Sequence, residues 1–465
     1  MTHNPYPSYE YMLSMLEKAE NGPIVDEKDW DRLYIYNTIK ELVAKYDIAW
    51  DKKAAAVLSD DGLADRVFSA GIELILKSGV YCIDTRRRMV FSQGDIDTIL
   101  AYSPKEVVIG EGNDQVTIRK RSPDEHTRVA TVGGAYGTQV PEELYVPVML
   151  SYAQEKSLDF VDNASLVSTH GRPIRANSPW EAVGCWQEME LSFEVNRRAQ
   201  RLGMPIGCAE DSPSAIGELA TTTFGGFRPS DWHHASFVSE LKTSYNELTK
   251  AVHFAHTHSF AHNFYNPIYG GFVGAGPGMA VAITAGMILL KACFGGITDN
   301  PGPSHAHLSC DTFPDMITSQ ALAFQALNRN TNLLTSSFVR PVGGPGTKDI
   351  LYETAALTVA SVPSGIALME GVQSATGRFT AHVSGLEARF MAEVAQAATH
   401  LTRKEADPIL KKLVAKFEGT QKEMRTGKPF NEVYDVETVQ PLPEWQAMYE
   451  EVCQEMATEF GLPIG

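Results

Sequence analysis

Six of the 13 histidines fall between residues 233 and 262, as Trp232-His-His234, His253, His256, His258 and His262. Imidazole changes charge near neutral pH and is a common zinc ligand, so this density points to proton transfer or to metal binding. His234 and His262 are the candidates to meet a leaving group with a proton. His256, His258 and His262 are the candidates to hold zinc, with one position left open for a substrate oxygen. His253 and His256 lie three apart and share a face of a predicted helix, where histidines also serve as partners of the negative helix end. His262 and Phe264 alternate on a predicted strand and point the same way. Cys208 and Glu210 sit at the end of another predicted strand. A lone cysteine is more often a small buried residue than a nucleophile, which leaves Glu210 as the candidate partner of a substrate or a histidine. Asn263, Tyr265 and Arg340 are candidate polar contacts. His305 and His307 alternate on one predicted strand face, with a structural role equally open. The glycine-rich run 269–278 fits neither GxxxxGK[ST] nor GxGxxG and reads as a tight loop.

These side chains need a scaffold, and short apolar runs alternating with long helical patterns supply one between residues 140 and 400. Strands are predicted over 159–165, 204–209, 260–266, 304–309, 332–338 and 365–370. Helices are predicted over 179–202, 235–256, 277–294, 315–328, 347–360 and 385–400. Six βα units are visible, two short of a (β/α)8 barrel, and a doubly wound sheet fits the periodicity almost as well. Ahead of them, helical patterns at 8–20, 30–46 and 63–77 and a hairpin of 106–109 with 115–120 form a cap. The glycine-rich segment 132–138 reads as a loop entering the next domain. Charged helical segments at 404–418 and 443–460 form a tail.

The chain of 465 residues carries 40 basic and 57 acidic side chains, a net charge of −17. That balance argues against nucleic acid and anionic membranes as partners. Six scattered cysteines without a CxxC pair fit a reducing compartment. The amino-terminal stretch lacks the pattern of a secretory signal, and the most apolar run, about a dozen residues from Met279, reads as a buried helix because a span needs roughly 20. A cytoplasmic protein is expected.

Residues 201–217, RLGMPIGCAEDSPSAIG, resemble the segment of the monomethylamine:corrinoid methyltransferases that carries pyrrolysine. Gly203-Met204, Glu210, Ser212, Ser214-Ala215 and Gly217 fit that pattern, and Gly207 falls where pyrrolysine stands in the family. Residues 79–85, 119–122, 266–272, 385–391 and 434–439 also resemble family segments, so the resemblance covers most of the chain. It implies an α/β fold, a (β/α)8 TIM barrel over 136–402, with an N-terminal helical and hairpin cap over 1–135 and a C-terminal helical extension over 403–465. The active site is then expected at the C-terminal ends of the strands.

The resemblance also implies where the site departs from its family. Three polar side chains surround the family's pyrrolysine, and His234, Phe264 and Phe338 fall at their places. Gly207, Phe264 and Phe338 are therefore expected to line a wider, aromatic pocket, with Gly207 leaving room for a bulky donor. Corrinoid-carrying proteins hold cobalt through DxHxxG; residues 124–129 begin that pattern and end in valine. The corrinoid (cobamide) is thus expected on a partner protein. The resulting expectation is a methyltransferase that takes a methyl group from a methoxylated aromatic compound to a Co(I) corrinoid, His234 or His262 assisting, with zinc as an optional Lewis acid. N-demethylation of a quaternary or methylated amine, in an aromatic cage, and a non-catalytic sensor of a methylated ligand are the alternatives. Self-association is expected from the long terminal extensions.

Overall fold

The computed structural model describes residues 8–52, 55–209 and 213–465. Eight parallel strands close into a barrel. In chain order they are β1 Ala130–Gly134, β2 Phe160–Asp162, β3 Ile206–Gly207, β4 Trp232–Phe237, β5 Phe260–Tyr265, β6 Thr298–Pro301, β7 Leu334–Val339 and β8 Leu368–Gly371. Each is followed by a helix: α1 Glu142–Ala153, α2 Pro179–Arg198, α3 Ala215–Thr221, α4 Tyr245–Thr257, α5 Pro277–Phe294, α6 Pro314–Asn330, α7 Lys348–Ser361 and α8 Gly385–Ala398. The expected (β/α)8 barrel is the observed fold.

Three strands were not legible as strands. β1 lies in the segment read as a glycine-rich loop and begins before the expected barrel boundary at 136. β4 is the histidine motif itself. A third, β6, reads Thr-Asp-Asn-Pro and has no apolar pattern, yet all four residues are buried; the run at 304–309 gives only the two-residue Ser304–His305, paired outside the barrel with Ile268–Tyr269. The helix expected over 235–256 begins at Tyr245 because residues 235–237 complete β4.

Register decides which side chains enter the barrel. His234 pairs with His262, and His262 with Thr298; Gly207 pairs with Asp162 on one side and Trp232 on the other; Phe338 pairs with Glu370. Since alternate residues of a strand point to opposite faces, these side chains share the interior, and their sequence neighbours face the helices.

α5 is long and apolar enough to cross a membrane, but it is entirely buried. It is wedged between β5 and the cap helix Asp61–Lys77, which explains why it is apolar all round. The cap also includes Tyr9–Asn21 and a π-helical stretch, Trp30–Asn37, that runs into Thr38–Lys45. Trp30 Nε1 donates to the Glu240 carbonyl at 2.8 Å, and Val80–Cys82 pairs with Lys242–Thr243, so the cap is tied to the β4–α4 loop. The hairpin of Glu106–Ile109 with Val116–Arg119 lies against Gly203 and Ser230 at the N-terminal end of the barrel. The C-terminal helices Arg403–Phe417 and Pro443–Thr458 pack on α7. What remains open is the C-terminal end of the strands.

Candidate active site

A cavity of about 270 Å³ opens at the C-terminal end of the barrel, lined by Tyr136, Ala209, Glu218, His234, Ser236, Lys250, Phe264, Asn266, Phe338, Arg340 and Gln373. Its lining comes from strand ends and the turns after them, where barrel enzymes assemble reactive groups. Phe264 and Phe338 meet edge to face at 6.3 Å, and Tyr136 meets Phe338 at 4.7 Å. Three aromatic rings therefore form one wall.

The opposite wall is charged. His234 Nε2 lies 3.2 Å from Asp162 Oδ2, and its backbone N–H donates to Glu218 Oε1 at 3.2 Å. His233, one residue earlier, points outward: its Nδ1 is 3.4 Å from Glu218 Oε2, and its Nε2 is 2.9 Å from the Arg228 carbonyl. Glu218 is thus held by both histidines while facing the cavity. Lys250 of α4 adds a cation, 3.4 Å from Glu247.

Gly207 is at the place expected, inside the barrel, but it leaves no open room. A Cβ there would come 2.2 Å from Asp162 Oδ2, 2.7 Å from Asp162 Cγ and 2.8 Å from Asp162 Cα. The space that a side chain at 207 would need is filled by the carboxylate that holds His234. The expectation of a widened slot at Gly207 is corrected accordingly.

His262 lies beneath the cavity and does not line it. Its ring stacks on Trp232 at 3.7 Å and meets Phe264 edge-on at 4.6 Å. Nδ1 contacts Thr298 Oγ1 at 2.7 Å, and Nε2 lies 3.3 Å from Glu370 Oε1. Burial lowers its pKa more than the nearby Glu370 carboxylate raises it, so the neutral ring is favoured. A buried neutral imidazole under the floor supports Phe264; it does not reach a leaving group.

Several other candidates do not converge. Asn263 and Tyr265 alternate with His262 and Phe264 and face the helices. Asn263 donates to Asp299 Oδ1 at 2.9 Å; the Tyr265 ring lies against Gly286 of α5, where a Cβ would meet it at 2.2 Å. Neither can touch a substrate in the cavity. His256 is exposed at the last turn of α4, edge-on to Tyr9 at 6.1 Å, and His258 caps that helix in a left-handed conformation. Both are at the opposite end of the barrel wall from the cavity, so His256, His258 and His262 form no common ligand set. Among the described residues no group of three or more His, Cys, Asp and Glu could hold a metal ion. Cys208 is buried outside the barrel interior, and burial pushes its thiol pKa well up. His305 stacks on Tyr269 at 5.5 Å, away from the cavity. Glu210 lies outside the described residues. Arg340 does reach the cavity: its Nη2 donates to the carbonyls of Gly302 and Pro303 at 3.0 and 2.8 Å, and its backbone N–H donates to Asp311 at 2.9 Å.

The family model of the monomethylamine methyltransferase MtmB matches residues 11–462. The chain belongs to that family. A monomethylamine methyltransferase MtmB2 of Methanosarcina acetivorans is 31% identical over 434 residues, covering 93% of this chain and 94% of that protein. MtmB1 of Methanosarcina barkeri strain Fusaro is 30% identical with the same coverage. Crystal structures of the Methanosarcina barkeri monomethylamine methyltransferase and of a hydroxylamine MtmB complex match with TM-scores of 0.93 and 0.94, at 29% and 28% identity, over 97% of this chain and 98% of each.

Membership corrects the expected donor. The MtmB relatives that span the chain are named for a methylated amine, which overturns the expectation of a methoxylated aromatic compound. The cavity also has a charged wall, with Glu218 and Lys250, beside the aromatic lining expected from Phe264 and Phe338. Sequence reasoning missed Asp162, Glu218, Lys250, Tyr136 and Gln373 as site residues. Asp162 lies inside the predicted strand 159–165, but its pairing with Gly207 exists only in the closed barrel. Glu218 and Lys250 sit on helices α3 and α4, and no local pattern distinguishes them from other charged helix residues.

Proposed function

We propose that this protein takes a methyl group from the cationic nitrogen of a methylated amine and delivers it to the Co(I) corrinoid of a separate partner protein. The observation that carries this reading is the paired character of the cavity, with the Glu218 carboxylate and the His234 ring, itself 3.2 Å from Asp162, facing an aromatic wall of Tyr136, Phe264 and Phe338. Carboxylate and aromatic faces are the two surfaces that attract an ammonium or alkylammonium group. Membership of the monomethylamine methyltransferase family supports the amine, and the lack of a DxHxxG motif in the sequence supports a corrinoid carried elsewhere.

The chemistry fits these residues. The methyl carbon accepts an electron pair from Co(I), the C–N bond breaks, and nitrogen keeps the bonding pair. A methylated ammonium therefore leaves as a neutral amine and needs no proton from the enzyme. His234 is then a positioning residue: Asp162 fixes its ring, and its backbone helps to fix Glu218. Glu218 holds the nitrogen in its cationic form, and the aromatic wall orients the methyl group toward the open end of the barrel.

A transfer assay with reduced corrinoid protein and mono-, di-, tri- and tetramethylated amines, read by the absorbance of methyl-Co(III), tests the proposal. Glu218→Gln is expected to lower kcat/KM by about 10- to 150-fold, the worth of one hydrogen bond to a charged group at roughly 1.5–3 kcal/mol. Absence of methyl-cobalt with every methylated amine refutes it.

A further inference from the structure

A simple methylammonium does not require the two cations of the lining, and of these Lys250 is paired with Glu247 at 3.4 Å. Arg340, two residues beyond Phe338 on β7, brings a guanidinium into the lining, 6.0 Å from the Phe338 ring centroid. β7 is across the barrel from β2 and β4, which carry Asp162 and His234. The cavity therefore has the Glu218 carboxylate and the Glu247-paired Lys250 on one side, a guanidinium on the other and aromatic rings between.

A cation placed in a cavity that binds a small cation works against that binding unless an anion accompanies it. Arg340 is not consumed by structural duties either. Nη2 holds the carbonyls of Gly302 and Pro303, while Nε and Nη1 donate to no described residue, and Nε is buried. Its acidic neighbour Asp311 is itself pushed up to about 7 by burial, which weakens it as a counter-charge. Burial also works against the guanidinium's charge, so an anion from the ligand restores the balance. Asn266 and Gln373, on the turns after β5 and β8, place amides in the same lining. A planar guanidinium with uncommitted N–H groups matches a carboxylate.

Building on the amine reading above, we propose that the donor is zwitterionic: an N-methylated amino acid whose methylated nitrogen lies against Glu218, Phe264 and Phe338 and whose carboxylate is taken by Arg340. The transfer remains balanced as before, Co(I) supplying the electron pair and the amino acid leaving with one methyl group fewer and its nitrogen pair retained.

The test compares each N-methylated glycine, from the mono- to the trimethylated form, with its carboxamide, which keeps the nitrogen and removes the negative charge. In the wild-type protein the KM of the acid is expected at least tenfold below that of the amide, about the value of a single charge-assisted contact. Arg340→Gln is expected to bring the ratio of the two KM values close to one, and Arg340→Lys to restore part of it. Calorimetric titration of the wild-type protein with acid and amide gives the same ranking without relying on either variant. Equal affinity for acid and amide in the wild-type protein overturns the inference, while transfer from both leaves the amine reading standing. Absence of transfer from the acids, the amides and the simple methylated amines overturns the amine reading, and the titration still decides whether Arg340 reads a carboxylate.

Discussion

Gly207→Ala tests whether Asp162 owns the space at the family's special position. The added Cβ would sit 2.2 Å from Asp162 Oδ2 and 2.8 Å from Asp162 Cα, each well short of the roughly 3.5 Å at which non-bonded carbons rest. The carboxylate can rotate, but the Cα cannot follow it, because Gly207 and Asp162 are register partners in the β2–β3 ladder. Overpacking of this kind costs about 1–3 kcal/mol. The displaced carboxylate must also leave His234, 3.2 Å away, so activity falls together with stability. Urea denaturation and transfer kinetics on wild type, G207A, D162A and the double variant form a cycle that separates the two contributions. If the carboxylate contact dominates, D162A/G207A is more stable than the sum of the single effects by about 1 kcal/mol or more; neighbouring residues couple at that scale. G207A with wild-type stability and wild-type KM would refute the reasoning, since it would show that the space beside Asp162 is free.

Three further outcomes follow from the placements. Phe264→Leu or Phe338→Leu keeps the apolar volume but removes the ring face, so KM for a cationic donor is expected to rise about 2- to 30-fold, equivalent to the roughly 0.5–2 kcal/mol of a cation–π contact. Tyr265→Phe, on the helix side of β5, removes a buried hydroxyl without a hydrogen-bond partner among the described residues. It is expected to leave KM unchanged and to raise stability by up to about 1 kcal/mol in urea titration; a raised KM would put Tyr265 back in the site. His262 has its pKa lowered by burial from an ordinary 6.5. The folded state then disfavours the proton that the unfolded chain accepts. Its contribution to stability is complete above about pH 6.5 and is lost as pH falls below it. Urea midpoints at pH 7.5 and 5.5 should differ less in His262→Gln than in wild type, and an identical difference would show that this ring does not titrate the fold.

The sequence made some of this legible for identifiable reasons. α5 was read with the bounds it has, because its apolar run is continuous and starts at Pro277, a residue suited to a first helical turn. β4 and β6 were missed for the opposite reason: an active site built inside a barrel puts histidine, threonine and asparagine where a strand pattern expects valine. The same alternation that placed Phe264 inward was enough to exclude Asn263 and Tyr265, since both occupy the odd positions between inward neighbours. His256 and His258 were close to His262 in sequence only, because α4 ends at the foot of β5 whereas the site lies at its head. Partners contributed from elsewhere in the chain, such as Asp162 for His234 and Glu370 for His262, depend on barrel closure and had no local signal.

The two histidine–carboxylate pairs on the barrel axis have different access, and from that their different work follows. His234 borders the cavity and Asp162 contacts its ring, so removing either partner alters the wall that a ligand meets. His262 with Glu370 is sealed beneath Phe264, so its loss acts first on the floor and only through it on a ligand. The level at which Asp162 stands is set by β2, β3 and β4 together: a side chain at 207 would exclude it, and without it the His234 ring would lose its 3.2 Å partner. Glycine at 207 is therefore what admits Asp162. In this member of the family, the Asp162 carboxylate stands at the position where the family resemblance places a special side chain.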